Sequence, residues 1–380
     1  MRRGLIAAAV AVLAFAAAGT SAVANTASPQ QVGPCTNVQL GFVGPLSGPA
    51  AFLGQEQLSW LRFAVQKHNR ANRTRFKVAL GDTQLKAPVA RTVARRLIAN
   101  RNVMAIIGPS ESQAVRVGGN LYERAGLVAV SGSATATDLT KGRPYRTFFR
   151  VVPNDSIQGP TIVNYVAGPM RAKQVVVIDS QDDYSVPLAA AVTSGLRRRN
   201  VEVSRESVSA DDTDFSSIVA NVEGDVDVVV FATQVATAAN TLSNQLREQG
   251  KDAIVFGTDG AYSPTQFKPR TGVVSVFAPD LHFDRAARAI VREYNRYSKN
   301  KAFGAFGPAT YMAGWVAMTG ITRACRDGNA TRAEVTRVMR RTNVPSIIGD
   351  RIRFDRKGDL RGGGSFVIYR IANGKYNPVD

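Results

Sequence analysis

Short apolar runs alternate with amphipathic helical segments along most of this chain, and the alternation is played through twice. Residues 38–43 read as a strand and 55–70 as a helix, with Leu58, Leu61, Ala64, Val65 and His68 on one face. Strand 76–80, helix 88–100 (Val89, Val93, Leu97 and Ile98 inward), strand 103–107, helix 114–125 and strand 127–130 follow. The apolar run 148–152 then leads into the turn Pro153-Asn154-Asp155, and the pattern restarts with helix 158–166 and the β-branched strand 175–178. Helix 187–199, strand 201–203, helix 215–222, strand 226–231, helix 237–249 and strand 253–256 complete it. Such alternation predicts an α/β fold in which parallel sheets carry helices on both faces. It gives two doubly wound, Rossmann-like units, over residues 36–154 and 155–279.

Three further helices (285–298, 308–323, 332–341) have little strand between them, and the chain closes with strands 351–354 and 365–371 around the turn cluster Asp355–Asp359. Neither group makes a domain alone. The economical arrangement sends the chain back between the two units, as two lobes joined by several crossings with a ligand between them.

The amino terminus reads as an export signal. Arg2 and Arg3 precede an apolar stretch, 5–18, and Ala22-Val23-Ala24 offers a small-residue cleavage site, so 1–24 is a secretory signal peptide. The stretch is short of the roughly 20 residues a membrane span needs. Cys35 follows Val32-Gly33-Pro34, which is not a lipidation box. Two cysteines, Cys35 and Cys325, in an exported chain suggest one disulfide, the alternative being two free buried thiols. The net charge is +19, and setting Arg2 and Arg3 aside leaves 46 basic against 29 acidic residues. The basic residues are scattered over helix faces, as in Arg91, Arg95 and Arg96 or Arg197-Arg198-Arg199, without interleaved aromatics. Solvated faces, and attraction to an anionic envelope, account for them better than nucleic acid.

Ligands of open α/β sheets bind at the carboxyl ends of the strands. In the first unit, 104–107 runs into Gly108-Pro109-Ser110-Glu111-Ser112 and 127–130 into Ser131-Gly132-Ser133-Ala134-Thr135. Small hydroxyl residues beside a helix start form a cradle for a small anion such as a carboxylate; ordinary N-capping by Ser112 is the alternative. Strand 38–43 ends in Gly44-Pro45-Leu46-Ser47-Gly48-Pro49, with Leu53 on the loop rim. In the second unit the strand ends carry Asp179-Ser180-Gln181-Asp182-Asp183-Tyr184, then Gln234, then Asp259 on a Gly-flanked turn. Asp259 suits a ligand ammonium, or else caps its own turn. Asp179, Asp182 and Asp183 permit a metal site, but their spacing is not that of an EF-hand loop. No nucleophile elbow, metal-ligand spacing or dinucleotide fingerprint is present, and neither His68 nor His282 has a sequence partner that makes it a base. An enzyme, a metal and a cofactor are therefore not expected.

Gly41–Pro49, Ile107-Gly108-Pro109, Ser131–Thr135, Phe149-Arg150, Asp155 with Gln158-Gly159, Asp214-Phe215-Ser216 and Phe354–Leu360 resemble, in order, the branched-chain amino-acid binding proteins of ABC importers, which are type I periplasmic binding proteins. The likeness runs through nearly all of 38–375. It implies that residues 280–343 return to the first lobe and 344–380 to the second lobe and hinge. It implies that Ser112 and Thr135, with backbone from Ser133 in the Ser133-Ala134-Thr135 run, bind a ligand α-carboxylate. Asp259 would take the α-ammonium, Tyr184 would contact the ligand, and Phe306 would line the pocket. Leu53 (or Phe52, if the loop shifts by one) and Gln234 stand where the family often has aromatics, and Ser185 where it usually has glycine. The implied protein is a monomeric, periplasmic or secreted carrier of an aliphatic or branched-chain amino acid that serves a membrane permease. A polar amino acid, an amide or urea-type ligand, and a sensor module of the same fold are the alternatives. The family topology also places both cysteines at the far pole of the first lobe, which implies a Cys35–Cys325 disulfide.

Overall fold

The computed structural model describes residues 33–277, 285–298, 304–349 and 351–379. The stretch read as an export signal and His282 lie outside them.

The first sheet has five parallel strands, β1 (Gln39–Gly44), β2 (Lys77–Asp82), β3 (Val103–Ile107), β4 (Val128–Ser131) and β5 (Phe148–Arg150), in the order β2-β1-β3-β4-β5. The second has seven, β6 (Gln174–Asp179), β7 (Glu202–Ser207), β8 (Val228–Ala232), β9 (Ile254–Gly257), β10 (Thr271–Val276), β11 (Val367–Ala372) and β12 (Lys375–Val379). Their order is β12-β11-β10-β9-β8-β6-β7, parallel from β10 to β7 and antiparallel at β11 and β12. The parallel parts of the two sheets thus share one order, with the winding reversed beside β1 in one and β6 in the other. Carboxyl ends at such a reversal leave a crevice.

Helices α1 (Ala51–Asn72), α2 (Ala87–Ala99), α3 (Ser112–Arg124), α4 (Asp155–Ala167), α5 (Ser185–Arg197), α6 (Ser216–Ala220) and α7 (Ala236–Glu248) join the strands. Of the later helices α8 (Arg285–Tyr297), α9 (Phe306–Ala324) and α10 (Arg332–Met339), α8 and α9 pack on α1, and α10 packs on β3 and β4. The chain therefore returns to the first sheet before β11 and β12 join the second. Cys35 and Cys325 form a disulfide, Cα atoms 6.0 Å apart, at the end of the first sheet away from the strand carboxyl ends.

Several elements differ from the sequence reading. β10 was not expected, although Gly272-Val273-Val274-Ser275-Val276 has strand composition. β12 contains Pro378, which a sheet tolerates only at an edge, and β12 is that edge. The expected strand 351–354 is only Arg351–Ile352, paired with Val344–Pro345. α1 begins at Ala51 instead of residue 55, so Leu53 stands in its first turn and not on a loop rim. α4 begins at Asp155, capped by the Asn154 side chain, which accepts from Ser156 N at 3.0 Å; Asp155 therefore belongs to the helix and not to the turn.

Candidate functional site

In the first lobe the strand ends are brought close together. Gly108, at φ +108°, leads into a cis bond to Pro109, and a Cβ there would lie 2.4 Å from the Val43 carbonyl. Most of the serines beyond are used internally. Ser131 Oγ donates to the Pro109 carbonyl at 2.7 Å and accepts the Ala134 amide at 3.0 Å. Ser133 Oγ donates to the Ser110 carbonyl at 2.7 Å and accepts from Gln57 Nε2 at 2.8 Å, while Ser110 Oγ donates to Gln57 Oε1 at 2.5 Å. Two hydroxyls keep a proton to give. Ser112 Oγ only accepts, from Ala136 N at 3.2 Å, and Thr135 Oγ1 is buried with no hydrogen-bond partner. Ser112 opens α3, whose first-turn amides have no carbonyl inside the helix to bind and carry the positive end of its dipole.

Arg150 holds this loop from behind. It is fully buried, donates from Nη1 to the carbonyls of Ala134 and Ala136 at 3.1 and 2.9 Å, and pairs through Nε with Asp359 at 2.6 Å. Thr135, between those two carbonyls, is fixed by this clamp. Asp359 sits in the Asp355–Asp359 turn, where Asp355 Oδ1 accepts the amides of residues 357, 358 and 359.

The second lobe brings carboxylates. Tyr184 Oη donates to Asp259 Oδ1 at 2.5 Å, both side chains being buried. Burial pushes the Asp259 carboxyl up to about 6, against the pull of the Tyr184 hydroxyl. Asp155, at the first turn of α4, is buried with neither carboxyl oxygen hydrogen-bonded. Burial, and then the charge of Asp259, hold its carboxyl well above the usual carboxylate range. Neither acid takes part in an ion pair among the described residues. Gly260 follows Asp259 where a Cβ would meet the Thr233 carbonyl at 2.4 Å, so the turns after β8 and β9 are in contact.

Leu53, Ser112, Ser133, Tyr184, Gln234, Asp259 and Phe306 line one narrow cavity of about 10 Å³ between the lobes, together with Ser110 and Gly260. Phe52 is not among its walls, nor are Ala134 and Thr135. Ala134 has both backbone polar groups engaged, by Ser131 and Arg150, which leaves it nothing to offer a ligand. Gln234 Nε2 spans to Gln113 of the first lobe at 3.3 Å and to Asp182 at 3.1 Å, and Arg116 of the first lobe faces Asp183 at 3.6 Å. The three acids that allowed a metal reading thus turn to separate partners. Asp179 pairs with Arg205, Asp182 accepts the Tyr184 and Ser185 amides at 2.9 and 2.7 Å, and Asp183 faces Arg116. Among the described residues no group of three metal-ligating side chains comes together. His68 is a core residue, packed on the rings of Phe76 and Trp315 with its pKa lowered by burial to about 4.

Residues that the sequence reading did not assign to the site are Gln57, Glu56, Ser110, Arg150, Asp155 and Gly260. Phe149-Arg150 and Asp155 stood in the quoted motifs, but their partners are remote in sequence. Gln57 and Glu56 carried no signal beyond polar positions on an amphipathic helix.

Residues 37–375 match the family described as periplasmic binding protein. An amino acid binding protein of Pseudomonas aeruginosa is 26% identical over 356 residues, covering 90% of this chain and 92% of that protein. The Leu/Ile/Val-binding protein of Escherichia coli is 25% identical over 358 residues, covering 89% and 92%. Among solved structures, a leucine binding protein of Thermotoga maritima superposes with a TM-score of 0.81 at 22% identity, covering 90% of this chain and 98% of that one. With the family match spanning nearly the whole described chain, and the two-lobed sheet order to go with it, this chain belongs to the periplasmic binding protein family.

Proposed function

We propose that the protein is an exported, monomeric solute-binding protein that captures an α-amino acid between its lobes and delivers it to an ABC permease without altering it. The observation that carries this reading is the opposition of charge across the cavity. Ser112 and the first turn of α3 offer proton donors on one side, with the unpartnered Thr135 hydroxyl buried beyond the wall. Asp259 offers a buried carboxyl with no ion-pair partner among the described residues on the other. Buried charge without a partner is costly, and an α-ammonium supplies the missing one. Leu53 and Phe306 are the apolar walls and suit an aliphatic side chain. In this reading, residues 36–154 and 280–343 make one lobe, and 155–279 with 344–380 make the other lobe and hinge. A cavity this small admits a ligand only when the lobes part, and ligand binding favours the closed form.

Thermal shift with four related compounds tests the reading. L-Leucine, which has both charges, raises the melting temperature, because a ligand that binds only the folded state stabilises it. Leucinamide, without the carboxylate, and 4-methylpentanoate, without the ammonium, shift it little, as does urea. A shift by urea or leucinamide as large as that by any amino acid contradicts the reading.

A further inference from the structure

The first two turns of α1 reach the cavity and both of its supports. Leu53 lines the cavity. Three and four positions later on the same helix face stand Glu56 and Gln57. Their side chains go to different ends of the site. Gln57 is buried and bridges Ser110 and Ser133, tying together the turns after β3 and β4. Glu56 accepts the Gly304 amide at 2.7 Å through Oε2 and the Gly307 amide at 2.6 Å through Oε1. Those two amides bracket Phe306, whose ring is a wall of the cavity. The support is close on the other side as well, since a Cβ on Gly307 would lie 2.0 Å from the Trp60 ring.

We propose that Glu56 is a positioning residue that sets the side-chain selectivity of the site by holding Phe306 in place, while Gln57 sets its affinity for the carboxylate end. The inference rests on the cavity being an amino-acid site. A carboxylate is the side chain that can accept both amides at once, one on each oxygen. Without it the start of α9 loses its acceptors and Phe306 loses its fixed distance from Leu53. A ligand with a long aliphatic side chain needs that wall, whereas the methyl of alanine makes little use of it. Loss of Gln57 frees the serine turns that frame the carboxylate cradle, and every α-amino acid meets that cradle in the same way.

Calorimetric titration of the mature chain with L-leucine and L-alanine separates the two roles. Glu56→Ala weakens leucine binding about 10-fold and alanine binding less than about 3-fold, the loss expected for charge-assisted hydrogen bonds. Glu56→Gln retains the volume and one acceptor, so it folds where the alanine variant fails and shifts the leucine-to-alanine ratio in the same direction by a smaller factor. Gln57→Ala weakens both ligands by a similar factor, about 10-fold, and leaves the ratio unchanged. Equal losses for leucine and alanine in both Glu56 variants, or a changed ratio in Gln57→Ala, overturn the inference. A wild-type protein that binds neither amino acid overturns the amino-acid reading itself, which is a separate result.

Discussion

In the first lobe the polar side chains at the strand ends satisfy one another, whereas in the second they leave acceptors in excess. Ser110, Ser131 and Ser133 each use their hydroxyl proton on a neighbour, and only Ser112 and Thr135 keep one to give. Across the cavity, Asp259 accepts from Tyr184, while Asp155, at the start of α4 and beside Thr135, has neither carboxyl oxygen hydrogen-bonded. The two sheets have the same strand order in their parallel parts, so topology does not explain the difference. The contrast shows that the polarity of such a site is set by what remains after internal hydrogen bonding, not by the residue types at the strand ends.

The comparison can be broken most severely at Arg150, which ties the donor loop of the first lobe to the Asp355–Asp359 turn. Arg150→Ala removes the cation from Asp359, which keeps only the Thr140 and Asn154 donors, and the donor from the Ala134 carbonyl, and removing one partner of a buried ion pair costs about 3–5 kcal/mol. Urea denaturation should show that loss, and a change below about 1 kcal/mol would mean the clamp is dispensable. The disulfide stitches only first-lobe elements. Cys35→Ser with Cys325→Ser should lower stability by about 2–4 kcal/mol, while leucine affinity at 25 °C changes less than twofold by calorimetry. Thr135→Val removes one of the two free donors and should weaken leucine binding about 10-fold, within the range for hydrogen bonds to charged groups.

The sign of the pH dependence follows from the second lobe. Burial raises the Asp259 carboxyl to about 6 and Asp155 well above its usual range. A bound ammonium lowers both, so binding releases protons, and affinity falls as pH drops through 6. Because the folded-state values are raised, these two acids favour the ligand-free fold below the unfolded carboxylate range, and that contribution is lost as pH rises through 6 for Asp259 and through the raised range of Asp155. The leucine-induced rise in melting temperature should therefore be larger at pH 7.5 than at pH 5, with affinity about 10-fold higher. An affinity flat over that interval would place the ammonium away from these acids.

Much of this site is legible in the sequence because strand ends are. The apolar runs locate them, and Ser112, Tyr184, Gln234 and Asp259 all stand within a few residues of one. What was not legible depends on partners far along the chain. Arg150 and Asp359 lie 209 positions apart, and Gln57 reaches Ser133 across 76. Nothing in the local pattern of 134–135 tells that the Ala134 amide is already engaged by Ser131 while Thr135 Oγ1 is not. Asp155 read as a turn residue because Pro153-Asn154 precedes it, yet Asn154 starts a helix and carries Asp155 inward. β12 escaped notice because its proline suits only a sheet edge.

The division of the ligand between a donor lobe and an acceptor lobe is tested most directly by titrating wild type and Asp259→Asn with two ligands, L-leucine and 4-methylpentanoate. If Asp259 serves the ammonium, the substitution weakens leucine by about 10- to 100-fold and leaves 4-methylpentanoate unchanged or bound more tightly. Equal losses for both ligands would show that Asp259 acts only by shaping the cavity, and would contradict the account.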